Sequence, residues 1–224
     1  MTRWPSTRPV LYFVADRSRL ADQSPAALVR RIRAVASAGV DVVQVREHAL
    51  ADRDLLTLVR DTIAAVEGLG VPVLVNDRID VAVAAGAAGV HLRGDGIAAN
   101  RLGEMAPPGF LIGRSVHSRE EAEEAARAGG CDYFVFGTIY PSAGKGPEHR
   151  LAGEEALADL CARVMVPVLA IGGIDETRAG AVAEAGAAGI AAIGAFASVD
   201  EGLLPTRVRS MRMAFHGSSR PPTA

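Results

Sequence analysis

Short apolar runs recur through the chain at nearly even spacing, and this recurrence limits the fold more than any other feature. They read "VLYFVAD" (10–16), "DVVQVRE" (41–47), "VPVLVND" (71–77), "GVHL" (89–92), "FLIGRS" (110–115), "CDYFVFG" (131–137), "VPVLAIGG" (166–173) and "GIAAIGA" (189–195). Their apolar residues do not alternate with polar ones, which is the mark of strands covered on both faces, as in a parallel sheet under helices. Ala-rich helical patterns follow nearly every run. Ser24 caps one of them with Pro25 at its first position. Further helices are expected over 51–69, over 80–85, and directly after "IGGI".

An echo supports closure of the sheet. "SAGVDVV", "AGAAGVHL", "AGGCDYFVF" and "AGAAGIAAI" each join a helix exit to every second strand. Gly39, Gly86, Gly129 and Gly186 fall at those exits, where a left-handed residue ends a helix. An open doubly wound sheet is the competing fold, but it normally carries a glycine-rich turn after its first strand. Here that turn is "ADRSRLADQSP", without glycine. The expected fold is α/β, a single (β/α)8 TIM barrel over 1–215, with 216–224 a disordered tail.

Composition excludes several functions. A net charge of −2 and 4% aromatic residues argue against nucleic-acid and acidic-membrane binding. Neither a signal peptide nor a transmembrane run is evident, so a cytoplasmic protein is expected. Cys131 and Cys161 show no metal spacing and are expected to be reduced core thiols.

Barrels of this class keep their chemistry at the C-terminal ends of the strands. Gln44 and Arg46 end the second run on one face, Asn76 and Asp77 end the third, and His91 lies in the fourth. Ser115 and His117 end the fifth, and Ser142 and Lys145 lie in the loop after the sixth. His117 is the candidate proton-transfer group, because imidazole exchanges protons near neutral pH. Arg46 and Asp77 could instead form an ion pair across the barrel top, and His91 could be a packed histidine donating to a carbonyl. Gly172, Gly173, Ile193 and Gly194 place small residues and backbone N–H groups at the ends of the last two strands. That pattern predicts a phosphate cradle, completed by a helix N-terminus.

With these pieces in this order, the chain resembles the thiamine phosphate synthase / TenI family. The resemblance runs from "LYFVAD" to "AAIGAF" through "VQVRE", "VNDRIDVAVAAGAAGVHL", "IGRSVHSREEA", "DYFVFGTIYPSAGK" and "VLAIGGI". It implies a thiazole phosphate ligand and one of two reactions. The synthase joins hydroxymethylpyrimidine pyrophosphate to the thiazole phosphate carboxylate, releasing pyrophosphate and carbon dioxide. The TenI branch is a thiazole tautomerase, which aromatises the ring by proton transfer.

Departures from the synthase pattern favour the tautomerase at this stage. His48 stands where the pattern has a pyrophosphate-binding lysine, and Gly96 where it has a second magnesium-binding aspartate. Asp95 lies one residue off, and Arg93 is added beside it. The strand-six loop carries Ser142 and Lys145 but lacks one of two hydroxyls, and Gly194 replaces a serine. The resemblance therefore implies His117 as catalytic residue and no metal or cofactor. Magnesium on Asp77 enters only under the synthase reading. A catalytically silent phosphate-binding homologue is a third reading, and a homodimer is the default assembly.

Overall fold

In the computed structural model, which describes residues 4–5, 9–142, 146, 148 and 150–218, eight parallel strands close a barrel in chain order. They are β1 Val10–Asp16, β2 Val42–Arg46, β3 Val73–Asn76, β4 Gly89–Leu92, β5 Leu111–Val116, β6 Tyr133–Gly137, β7 Val168–Ile171 and β8 Gly189–Ala192. Closure comes from β1 pairing with β8, Val10 opposite Gly189 through Phe13 opposite Ala192. The helices are α1 Pro25–Ser37, α2 Asp52–Ala65, α3 Ile79–Ala85, α4 Arg119–Ala128, α5 Gly153–Arg163, α6 Ala179–Glu184, α7 Gly194–Ala197 and α8 Leu204–Ser218. Between β4 and β5 a single 3-10 turn, Ala99–Leu102, stands in place of an α-helix.

Three expected boundaries shift for local reasons. The helix after β7 does not begin at once. The Asp175 side chain accepts from Thr177 N at 3.0 Å and Thr177 Oγ1 at 2.6 Å, closing a turn that delays α6 to Ala179. The helix expected over 51–69 stops at Ala65, ahead of Gly68 and Gly70, both at positive φ. At the other end α8 runs to Ser218, so 216–218 of the expected tail are helical, while 219–224 lie outside the described residues. The echoed glycines all adopt positive φ, from 73° at Gly86 to 103° at Gly39.

Period-two alternation sends side chains to opposite faces of the sheet, and three buried clusters form, the third holding Val90 and Leu92 of β4 with Ile112 of β5. Leu11, Phe13, Val43, Val45, Val73, Val75, Phe134 and Phe136 face the helices in one buried cluster. Val10, Tyr12, Val14, Val42, Leu74, Leu111, Tyr133, Val135 and Leu169 fill the lumen in another. Trp4 stacks on Tyr133, ring centroids 4.3 Å apart, and packs against that lumen cluster. Among the described residues no helix is long and apolar enough to cross a membrane. Cys131 and Cys161 are free and half-buried, and burial pushes their thiols up to about 11 and about 12.

Gly113 makes room for the Tyr133 ring. A Cβ added there would stand 1.9 Å from Tyr133 Cζ, inside any tolerable contact. Gly113→Ala is therefore expected to destabilise the barrel by about 1–3 kcal/mol, read from denaturant unfolding, through overpacking of the lumen. An unchanged unfolding midpoint would refute that packing.

Candidate active site at the barrel mouth

Gln44, Asn76, Asp77, His91 and Ser115 lie on one line of hydrogen bonds, but the expected pairing of Arg46 with Asp77 is not made. Arg46 does not meet Asp77. It forms an ion pair with Asp16 at the end of the neighbouring strand β1, where the two stand opposite in register. Burial raises the Asp16 pKa, but two hydrogen bonds from Ser18 and the Arg46 charge outweigh it, leaving the carboxyl below its usual value. Asp77 pairs with Arg93, whose Nε lies 2.8 Å from Oδ2 and whose backbone N–H donates to Oδ1 at 2.7 Å. Asp77 sits at φ 56°, a left-handed conformation that Asp and Asn tolerate better than most residues.

Below this rim the lumen carries a line of side-chain hydrogen bonds. Asn76 Nδ2 donates to Asp77 Oδ2 at 2.9 Å, and Gln44 Nε2 to Asn76 Oδ1 at 2.7 Å. The Tyr12 hydroxyl donates to Gln44 Oε1 at 3.1 Å and lies 2.9 Å from the Tyr133 hydroxyl. Tyr133 is 3.0 Å from His91 Nδ1, and His91 Nε2 is 2.9 Å from Ser115 Oγ. His91 is thus buried, as expected for a packed histidine, yet its partners are two hydroxyls rather than a carbonyl. Tyr12 and Tyr133 were not among the expected site residues. Their signal was available as phenol hydroxyls at lumen-facing positions of apolar strands.

His117 follows directly after β5 and is exposed. Its Nδ1 lies 3.2 Å from the Gly137 carbonyl at the end of β6, and its backbone N–H donates to Glu121 at 2.7 Å. A carbonyl only accepts, so in the neutral ring Nδ1 carries the proton and Nε2 is the free base. Ser118 caps α4 behind it through Glu121 N. A Cβ on Gly94 would come within 3.6 Å of Nε2, which places that loop against the imidazole edge.

At the cradle, Gly172 and Gly173 have φ 105° and 64°, and added Cβ atoms would strike Thr138 and Pro141. Gly194 opens α7 with nothing within 4 Å of an added Cβ, and Ile193 precedes it as the N-cap. The four-residue α7, not the helix after β7, is therefore the element at this corner. Ser142 is described and half-buried, whereas Lys145 lies outside the described residues.

The residues do not fit a magnesium site. Both Asp77 oxygens are engaged by Arg93 and Asn76. A Cβ on Gly96 would stand 3.8 Å from Asp77 Oδ1, so this is where a second carboxylate would meet the first, and glycine supplies none. Among the described residues no group of three His, Cys, Asp or Glu side chains could hold a metal. A hard divalent cation needs several oxygens in octahedral order, and here a guanidinium fills the corner.

The closed barrel, with polar side chains at its mouth and glycines at the ends of β7 and β8, defines a (β/α)8 protein. The chain belongs to the thiamine monophosphate synthase family, whose model, TMP-TENI, matches residues 11–196. It is 39% identical over 180 residues to a thiamine-phosphate synthase of Methanoculleus marisnigri, covering 80% of this chain and 84% of that protein. It is 33% identical over 192 residues to the thiamine-phosphate synthase of Roseiflexus castenholzii, covering 86% and 82%. The solved thiamine phosphate pyrophosphorylase of Pyrococcus furiosus superposes with TM-score 0.79 at 30% identity, covering 93% of this chain and 96% of that one.

Burial lowers the His91 pKa from about 6.5 to about 3. Between those values the unfolded chain binds the extra proton, so stability is complete above the upper value and falls as pH drops, by up to about 1.4 kcal/mol per pH unit. His91→Asn is expected to flatten the pH dependence of the unfolding free energy between about pH 6 and about pH 4. An unchanged slope would mean that His91 protonates in the folded state.

Proposed function

We propose that the protein is a thiamine-biosynthesis enzyme that binds a thiazole phosphate at the barrel mouth and forms thiamine phosphate from it. The observation that carries this reading is the 39% identity over 180 residues to a named thiamine-phosphate synthase, in a chain that brings Gln44, Arg46, Asn76, Asp77 and Ser115 to the ends of its strands. The phosphate would lie against the backbone of Gly172, Gly173, Ile193 and Gly194. Ser115, Ser142 and Gln44 would orient the ring, and Lys145 would be a further cation for the ligand's charge. Arg46 and Arg93 would face the pyrophosphate of the second substrate, because guanidinium groups pair with phosphate oxygens in forked geometry. A cytoplasmic location belongs to the same proposal, and so does a homodimer.

A second reading, thiazole tautomerase, is favoured by one observation specific to this chain. The Asp77 corner is closed by Arg93 and lacks an acid at Gly96. Proton transfer needs neither a metal corner nor a pyrophosphate site. In it, His117 Nε2 takes a proton from one position of the thiazole ring and returns it, or its equivalent, at another, while Gly137 O holds Nδ1–H and fixes the imidazole's orientation. An oriented base of this kind contributes ~10²–10⁴-fold to rate.

The deciding experiment incubates the protein with thiazole carboxylate phosphate, with and without the pyrimidine pyrophosphate and magnesium, and identifies the products. Thiamine phosphate in the complete mixture is expected. Aromatised thiazole phosphate from the single substrate, with no thiamine phosphate from the pair, would replace the first reading by the second. His117→Gln separates them further. It is expected to lower tautomerisation by ~10²-fold or more under the second reading, with thiazole phosphate binding retained in calorimetry; unchanged tautomerisation would exclude His117 as the base.

A further inference from the structure

The lumen chain runs from Ser115 through His91, Tyr133, Tyr12, Gln44 and Asn76 to Asp77 with each neighbour between 2.7 and 3.1 Å. Only one of these groups has a hydrogen-bonding direction that its neighbours cannot reverse. A carboxylate accepts and never donates. The Asn76 atom facing Asp77 must therefore be its NH₂ group, which leaves its carbonyl oxygen to face Gln44. Gln44 must then present its own NH₂ group to Asn76 and its carbonyl oxygen to Tyr12. Each phenol has one hydrogen. Tyr12 spends its hydrogen on Gln44, so the bond from Tyr133 must run towards Tyr12. Tyr133 then has only a lone pair left for His91, which obliges Nδ1 to carry the imidazole proton. His91 Nε2 is bare, and the Ser115 hydroxyl must donate to it.

We infer that the Asp77 carboxylate sets the direction of this whole chain, holds His91 as its Nδ1–H tautomer, and makes Ser115 a hydrogen-bond acceptor towards the mouth. Ser115 commits its only hydrogen to His91, so what it offers a ligand is lone pairs. The ligand group that faces it is an N–H or O–H donor, and a carbonyl or carboxylate oxygen at that point meets like with like. Asp77 is in turn oriented by the Arg93 guanidinium and backbone N–H. The rim ion pair after β3 thus governs the hydrogen-bonding character of a serine on β5, two strands along. His91, Tyr133, Tyr12, Gln44 and Asn76 are positioning residues in this account, acting through Ser115. The inference concerns the free protein and stands under either reaction above.

The test is nitrogen-15 NMR of the uniformly labelled full chain at pH 7, with no ligand. The His91 ring is assigned by the signals lost in His91→Gln. The expected spectrum shows a neutral imidazole protonated at Nδ1 with a bare, pyridine-type Nε2. A proton on Nε2 in the wild type would overturn the inference. Two variants then probe the direction from each side. Asp77→Asn keeps a residue that tolerates the left-handed backbone but can present a donor, which frees the chain to reverse. Tyr133→Phe removes the acceptor for Nδ1 without changing the ring's volume. Each is expected to raise the Nε2–H fraction at least tenfold. A purely structural role would alter melting temperature and leave the tautomer alone. If Tyr133→Phe does not fold, the wild-type tautomer and Asp77→Asn still decide. A pure Nδ1–H signal retained in folded Asp77→Asn would refute the carboxylate's control.

Discussion

Everything at the mouth depends on satisfying polar side chains inside a barrel lumen that excludes water. An unpaired buried polar group costs about 1–3 kcal/mol, so a lumen holding amides, phenols, an imidazole and a hydroxyl is tolerable only as one connected set. The structure meets that demand. Among the described residues the sole buried side-chain polar atom without a partner is Thr62 Oγ1, on α2 and far from the lumen line. The small residues make it possible. Gly113 leaves the space into which the Tyr133 ring extends, and Gly89 leaves space that Leu74 and Leu111 take up.

The fold was legible in the sequence because its cause is local. Both-face apolar strands at even spacing, with glycines at the helix exits, leave little besides a closed parallel barrel. The site was legible only in part. Strand-end position alone picks out Gln44, Asn76, Asp77, Ser115 and His117, because period-two alternation fixes which side chains share the lumen. Pairing is a different matter. Arg46 could reach Asp16 or Asp77, and the choice follows from register between β1 and β2, which no single strand encodes. Tyr12 and Tyr133 looked like core aromatics, since nothing in one strand shows that two phenols 121 positions apart meet at 2.9 Å.

The family relationship and the Asp77 corner bear on different questions. Shared identity over most of the chain settles the family, while a fold that hosts many reactions leaves the chemistry to the site. At the corner, glycine stands at position 96 and Arg93 is paired to Asp77. The corner therefore carries its own cation, which opposes a divalent ion there.

Trp4 extends the polar line beyond the barrel strands. It lies ahead of β1 and stacks on the Tyr133 ring. The hydroxyl of that ring joins His91 to Tyr12. The aromatic face is thus held from outside the sheet while its polar edge is held from within. A residue that contributes no hydrogen bond to the line therefore helps to set where the line's central hydroxyl stands.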